Sequence, residues 1–200
     1  SDALPAGAMF MLGADTNFQS STQTAFTTLM TGGVATGRFN DTINTSGTWE
    51  NASSFRFVHT QDPVLGADNQ GMDSRHDVIY VSSSLRDGTG IDYVGSPSLA
   101  YSTTTWDDPN HSYRVWGNDG SSFNVQLAVA SNAMVGATIA QALINSADTG
   151  GHLPVYLDLS IPPKANVSTT TINFGTVVQN QPAGASFTVS NTSSSHGPRR

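Results

Sequence analysis

Residues 77–83 read Asp-Val-Ile-Tyr-Val-Ser-Ser, and this short run decides how the fold is interpreted. Four consecutive apolar or aromatic side chains, at positions 78–81, would lie on both faces of an extended strand. A strand that buries both faces lies inside a sheet rather than at its margin. The run therefore predicts a central strand around which the other elements are arranged.

Two later segments show strict alternation of apolar and polar residues, which is typical of half-buried strands. Residues 122–130 follow a turn at 117–120, so that residues 112–130 together predict a hairpin. Residues 153–161 repeat the alternation and end at two prolines, which cannot continue a ladder. Weaker patterns predict further strands at residues 8–12, 38–43, 54–60 and 91–94.

Two segments have the apolar spacing of amphipathic helices. Residues 16–31 place their apolar side chains on one helical face, with Asp15 as a candidate N-cap and Gly32 as the stop. Residues 132–146 do the same, with Asn132 before the helix and glycines after it. We therefore expect two helices among the strands.

A polar stretch after the prolines carries a family resemblance. Residues 172–177 read Ile-Asn-Phe-Gly-Thr-Val, and residues 186–192 read Ser-Phe-Thr-Val-Ser-Asn-Thr. Over residues 167–192 the chain resembles the opening of an immunoglobulin-like repeat of the abnormal-spindle/Hydin type, also known as choice-of-anchor in bacterial surface proteins. The resemblance implies that these are the first two of about seven strands, with a polar tail at 193–200 where the others would follow.

Half of such a repeat would leave apolar strand faces and edges open. Either the chain belongs to a longer protein, or the two strands complete a sheet elsewhere in this molecule or in a neighbouring copy. The second alternative predicts self-assembly through the apolar residues Ile172, Phe174, Val177, Phe187 and Val189.

These patterns together predict a β-dominated α+β fold. The main domain, residues 1–162, would be a mostly antiparallel, sandwich-like arrangement with two helices, followed by a linker at 163–166 and the partial immunoglobulin-like strand pair. The alternative is a flavodoxin-like α/β fold, in which residues 8–12, 16–31 and 77–83 form a β-α-β unit. The alternating segments count against it, because buried parallel strands do not alternate.

The charged residues exclude several classes of function. Of 15 acidic residues only Glu50 is a glutamate, and of eight basic residues only Lys164 is a lysine. The glutamate-dependent His-Glu-x-x-His zinc motif and lysine-dependent Walker-type phosphate binding are therefore absent. The net charge of −7 with scattered arginines gives no basic face for nucleic acid.

The same composition bears on where the protein works. The chain has no cysteine, and its surface would be made of Ser, Thr, Asn, Gly and Asp, which suit strands and long loops. No apolar run reaches the ~20 residues that a membrane span needs. We expect an extracellular or cell-surface protein without a membrane span, whose partners are further copies of itself, other surface proteins or glycans.

The loop at residues 66–77 is rich in the oxygen ligands that Ca²⁺ prefers. The candidate calcium ligands are Asp68, Asn69, Asp73 and Asp77. The loop departs from the EF-hand pattern, and a polar turn before the central strand is the alternative interpretation.

Aromatic and histidine side chains supply further candidates. Trp106, Trp116 and Tyr113 lie in polar surroundings where aromatic rings often stack on sugars, although ordinary core packing is the default interpretation of such residues. His59 and His111 could contribute to a zinc or copper site, against the alternative of isolated solvated histidines.

Three functions are compatible with these observations. The first is a secreted or surface-displayed structural or adhesive protein that assembles through its C-terminal strands. The second is a secreted hydrolase of carbohydrate or ester substrates, which would require a close Asp-His-Ser or Asp-Asp constellation. The third is a calcium-dependent binding module.

Overall fold

The computed structural model describes residues 3–66, 70–147, 150–163 and 165–191. The chain divides into two compact units, Ser1–Leu159 and Ser160–Arg200. In the part of the chain that is described, no helix has the length and apolar character needed to cross a membrane. The described residues form a mixed α+β fold, with two α-helices and short antiparallel strands in four small sheets.

The first unit contains two helices, three 3₁₀ turns and short strands. The helices are α1 (Thr24–Thr31) and α2 (Gly136–Ala147). The strands are β1 (Met11–Asp15), β2 (Phe39–Asp41), β3 (Asp77–Ser82), β4 (Asp92–Tyr93), β5 (Arg114–Val115) and β6 (Val155–Tyr156), and β7 (Leu159–Ser160) spans the boundary between the units.

The main sheet has three strands in the order β1-β3-β2, and both ladders are antiparallel. The prediction of a central strand at residues 77–83 is confirmed, since β3 lies between the other two and buries Val78, Tyr80 and Val81. Branched and aromatic side chains favour this extended, doubly covered position. The flavodoxin-like alternative is wrong, because its β-α-β unit requires parallel neighbours.

The predicted hairpin over residues 112–130 is wrong. Arg114 and Val115 pair with Tyr156 and Val155 instead. Residues 121–130 form an irregular loop whose backbone bonds reach other loops, for example from the Leu127 N–H to the Pro63 carbonyl. Alternating apolar residues therefore do not make this segment a strand, because neighbouring loops satisfy its backbone groups.

Of the other predicted strands, some are present and others are not. Strands are present within 38–43 and 91–94, and β1 starts three residues later than the pattern at 8–12 suggested. The segment 153–161 contains two short strands, β6 and β7, rather than a continuous one. Residues 54–60 form no strand, since the 3₁₀ turn Ser53–Phe55 begins there.

Both helices start later than their apolar spacing predicts. Asn17 has a left-handed φ of 50°, which a helix cannot contain, so α1 begins at Thr24 and Asp15 does not cap it. Gly32 ends α1 as expected. Asn132 does bond the N–H groups of Met134 and Val135, but the positive φ of Gly136 delays regular helix to that residue.

A cluster of mostly buried charged and aromatic side chains lies inside the first unit. We name it the Trp49 core, and its members are Asp41, Trp49, His59, Arg75 and Tyr113. Arg75 is fully buried, donates two hydrogen bonds of 2.6 and 2.8 Å to the Asp41 carboxylate, and lies over the rings of Trp49 and Tyr113. The imidazole of His59 is buried beside them. Its Nε2 lies 2.8 Å from the Trp49 carbonyl oxygen. Every polar residue of this group thus has a partner inside the protein.

The second unit has little internal structure among its described residues. Strand β8 (Ala165–Val167) pairs with β9 (Val189–Asn191) in an antiparallel ladder. The strand expected at 172–177 is not formed, and β9 lies within the strand expected at 186–192. All side chains that the structure describes from 165 to 190 are exposed, so this ladder covers no core of its own.

Candidate functional site

Two aspartates meet at one end of the main sheet. Asp15 is the last residue of β1, Asp77 is the first residue of β3, and the antiparallel register places them directly opposite each other. Directly opposite residues of an antiparallel pair project to the same face of the sheet. The carboxylates of Asp15 and Asp77 therefore share one surface at the sheet's end.

A histidine from a distant part of the chain completes this group. Nδ1 of His152 lies 2.8 Å from Oδ2 of Asp77 and 3.8 Å from Oδ2 of Asp15. The three residues each present a ligand atom, and these atoms lie within 4.8 Å of one another. We name this group the Asp77 site.

Thr60 holds the two chain segments of the site together. Its side-chain oxygen accepts hydrogen bonds from the N–H groups of His76 and Asp77, and its carbonyl accepts one of 2.8 Å from the Leu153 N–H. Residues on either side of Asp77 and His152 are therefore tied to a single residue. Such support keeps the carboxylate and the imidazole in a defined mutual geometry.

The electrostatics of the site favour a protonated His152. The hydrogen bond and charge of Asp77, reinforced by Asp15 and Asp62, raise the pKa of His152 above its ordinary value against the opposing effect of burial. An imidazolium beside two carboxylates can give up a proton during a reaction. The site thus contains a proton donor and two oxygen-rich anionic groups.

Two further titratable side chains lie beside His152. The ring of His76 contacts that of His152 with 5.7 Å between centroids, and burial followed by the charge of His152 lowers the pKa of His76. Asp62 is 1% exposed, one of its carboxylate oxygens has no hydrogen-bond partner, and burial raises its pKa. A neutral imidazole and a buried carboxyl group therefore line the protein side of the site.

The donor atoms suit a hard divalent cation. Carboxylate oxygens are the preferred ligands of Mg²⁺, Ca²⁺ and Mn²⁺, whereas imidazole nitrogens also suit zinc and other transition metals. Two carboxylates with a single charged imidazole favour the first group. In this arrangement Asp15 and Asp77 would hold the cation, and His152 would remain free to transfer protons.

The predicted calcium loop is only partly described. Asp68 and Asn69 lie outside the described residues. Asp73 is half-buried and is not a member of the Asp77 site, while Asp77 belongs to the site with partners that the loop interpretation did not include. Nothing in the arrangement selects calcium over magnesium or manganese.

The predicted aromatic platform is not formed by the three residues proposed for it. Tyr113 is completely buried, donates a hydrogen bond to the Asp77 carbonyl and has its pKa raised to about 12 by burial. Trp106 packs against the hydrophobic core. Trp116 alone is exposed, and it contacts the ring of Tyr156. Tyr113 is therefore a core residue and not a stacking surface.

The two histidines considered for zinc or copper are structural. His59 lies between the carbonyl oxygens of Trp49 and Met72, and burial lowers its pKa to about 4. His111 is buried and its Nδ1 lies 3.0 Å from Asp108. Nε2 of His111 is buried without a hydrogen-bond partner, and the described residues do not bring the two rings into a common metal site.

Sequence reasoning missed most of the Asp77 site. It assigned Asp15 to a helix cap and gave His152 no role. The pairing of Asp15 with Asp77 had half a signal, because Asp77 begins the predicted central strand, whereas the predicted strand at 8–12 stops short of Asp15. The approach of His152 had none, since it depends on how loops 60–62 and 150–153 are tied together.

No protein-family model, no curated protein and no solved structure matches this chain. The likeness of residues 167–192 to an immunoglobulin-like repeat stays a prediction.

Proposed function

We propose that the protein is a hydrolase of ester substrates, with phosphate esters as the reacting group and the Asp77 site as its centre. The observation that carries the proposal is the 2.8 Å contact between His152 and Asp77 next to a second carboxylate, Asp15. A close pair of aspartates is one of the two constellations named above for a hydrolase, and here a histidine beside the pair adds an acid–base group.

Phosphate esters fit the donor set better than carboxylic esters or glycosides. Mg²⁺ is commonly bound through one or two protein carboxylates together with oxygens of a substrate phosphate. When bound, such a cation polarises the phosphoryl oxygen and offsets its charge. The two carboxylates of the Asp77 site provide the protein's share of this arrangement, and no nucleophilic serine is needed.

The protein groups then divide the proton transfers. The oxygen of a water attacks phosphorus and forms the new P–O bond, and Asp15, the more exposed carboxylate, accepts the water proton. The bond to the leaving-group oxygen breaks, and the His152 imidazolium donates its proton to that oxygen. Asp77 keeps the imidazole oriented and charged, in addition to its role as a cation ligand.

The test is hydrolysis of bis(p-nitrophenyl) phosphate with Mg²⁺, Mn²⁺ or Ca²⁺ added, and with EDTA. We expect cation-dependent release of p-nitrophenol. The variants Asp77→Asn and His152→Gln should lose 10²-fold or more, because general acid–base groups contribute about 10²–10⁴-fold. Asp87→Asn is the matched control, since Asp87 is an exposed aspartate bonded only to nearby Thr89.

Two results would refute the proposal. One is activity that Asp77→Asn and His152→Gln leave unchanged while circular dichroism shows both variants folded. The other is turnover of p-nitrophenyl acetate or p-nitrophenyl glycosides, in place of the phosphodiester, at the same site. Turnover of glycosides would restore the carbohydrate alternative.

A second candidate function is supported by the other unit. Five apolar residues of the predicted assembly surface are between 38% and 60% exposed: Ile172, Phe174, Val177, Phe187 and Val189. Residues 165–191 contain no charged side chain that would oppose pairing of strand edges. We infer that this unit attaches the protein to further copies of itself or to other surface proteins, in an extracellular or cell-surface setting.

Light scattering of the full chain tests the attachment role. Self-association should give particles larger than the monomer, and removal of residues 164–200 should return them to monomer size. The substitution Phe174→Asp should have the same direction of effect with less change to the chain. Unchanged particle size in both variants would contradict self-assembly and leave the hydrolase proposal untouched.

A further inference from the structure

An exposed aromatic pair lies near the Asp77 site. Trp116 and Tyr156 are each 37% exposed, their ring centroids are 5.8 Å apart, and the rings cross at 68°. Trp and Tyr combine a large apolar ring with a polar tip and are enriched where a protein contacts ligands or partners. Two such rings that touch each other and each keep about a third of their surface exposed form a corner that a ligand ring can contact.

The backbone places this pair on the same surface as His152. From His152 to Tyr156 the burial alternates, with Leu153 and Val155 turned inward and Pro154 and Tyr156 exposed. The Trp116 N–H bonds the Pro154 carbonyl at 2.8 Å, which holds Trp116 beside this outward row. Four residues of fully extended chain span at most about 14 Å, so the Cα atoms of His152 and Tyr156 lie within that distance of each other.

The charges around the pair favour a neutral ligand. Burial raises the pKa of Tyr156, the charge of Arg114 lowers it, and the smaller effects of Asp158 and of Asp107, whose side chain is 75% exposed, raise it. Among the described residues, the positive charge that acts on Tyr156 is that of Arg114. Its guanidinium group already donates hydrogen bonds to Asp107 and to backbone carbonyl oxygens. A polyanionic strand would be repelled here, whereas a neutral ring would not.

We propose that Trp116 and Tyr156 form a binding subsite for a neutral sugar ring. The face of an aromatic ring carries partial negative charge, which attracts the C–H groups on the flat side of a pyranose. Together with the proposed function, on which this subsite depends for its role, the substrate is a phosphate ester of a saccharide. Its sugar would lie at the aromatic pair and its ester at the Asp77 site.

Binding can be measured without catalysis. Titration of the full chain in EDTA with neutral cello-, xylo- and chito-oligosaccharides, followed by tryptophan fluorescence and calorimetry, should show saturable binding to at least one series. Trp116→Ala and Tyr156→Ala should each weaken it 10-fold or more. Asp77→Asn should bind normally, and Leu99→Ala is the control for removal of an exposed apolar side chain elsewhere.

The outcomes separate this subsite from the proposed reaction. Binding that survives Trp116→Ala, or binding to none of the three sugar series, overturns the subsite even if the phosphodiester is hydrolysed. Binding of adenosine monophosphate that depends on Trp116, with no oligosaccharide bound, overturns the sugar class in favour of a nucleobase. Sugar binding without any phosphodiesterase activity supports the subsite and refutes the hydrolase.

Discussion

The Trp49 core and the Asp77 site use the same kinds of side chain in opposite ways. In the core, Asp41, His59 and Arg75 are enclosed and their charges or ring nitrogens are engaged by protein groups. At the sheet's end, Asp15 and His152 pair with Asp77 but keep solvent contact on one side. Enclosure turns polar residues into structural elements, while solvent access leaves their protons and lone pairs available for chemistry.

The largest expected effect is on catalytic activity, when the histidine of the Asp77 site is replaced. His152→Gln should reduce phosphodiester hydrolysis by 10²-fold or more and change the free energy of unfolding by less than about 1 kcal/mol, because the side chain is partly exposed. The measurements are initial rates and thermal unfolding on the same preparation. A His152→Gln protein that is much less stable than the wild type, but whose folded fraction keeps full activity, would contradict the role given to the Asp77 site.

The core should show the reverse pattern. Asp41→Asn leaves the Arg75 guanidinium buried without its counter-charge, and breaking a buried pair in this way costs about 3–5 kcal/mol. For a unit of this size we expect the melting temperature to fall by on the order of 10 °C, measured by calorimetry. Asp87→Asn, on the surface, should leave it unchanged. Equal melting temperatures for the two variants would contradict the role given to the core.

The pH dependence of stability separates the two histidines. Burial lowers the pKa of folded His59 to about 4, so between pH 4 and 6.5 the unfolded chain binds more protons than the folded one. Stability should therefore rise by up to about 3 kcal/mol as pH increases from 4 to 6.5, and be flat with respect to His59 above that window. Urea unfolding of wild type and His59→Gln checks this, since the variant should lose that part of the slope.

The smallest expected effect is the contribution of His152 to the pH dependence of stability, and its sign is opposite to that of His59. The pKa of His152 is raised by Asp77, so its contribution to stability is fully present below pH 6.5 and is lost as pH rises through the folded pKa. Asp77→Asn should remove this weak decline. A steeper decline in the variant than in the wild type would show that Asp77 does not hold the proton on His152.

Elements with a strong local signal were predictable. The central strand at 77–83 was recognised because four adjacent apolar residues leave few other structures, and Gly32 ended α1 as expected. Boundaries failed where single residues adopt a left-handed backbone, as at Asn17 and Gly136, which no periodicity reveals. The 112–130 hairpin failed because loops, rather than a partner strand, satisfied the backbone of its second half.

Candidate sites were harder to predict because their members are distant in sequence. Asp77 was chosen for a calcium loop and belongs instead with Asp15 and His152. Trp116 was chosen for stacking with Tyr113, whereas Tyr113 is buried and Trp116 contacts Tyr156. The predictions chose suitable residue types, but the residues that Asp77 and Trp116 contact lie far from them in the sequence.

Composition by itself determined what this protein lacks. With one glutamate and one lysine, it excluded whole catalytic motifs and left aspartate as the abundant ionisable group. Local patterns determined that an antiparallel, strand-rich fold surrounds a central strand. Only the tertiary structure decided which aspartates face a histidine and which face an arginine, because strand register and loop ties, each involving long-range hydrogen bonds, set those distances.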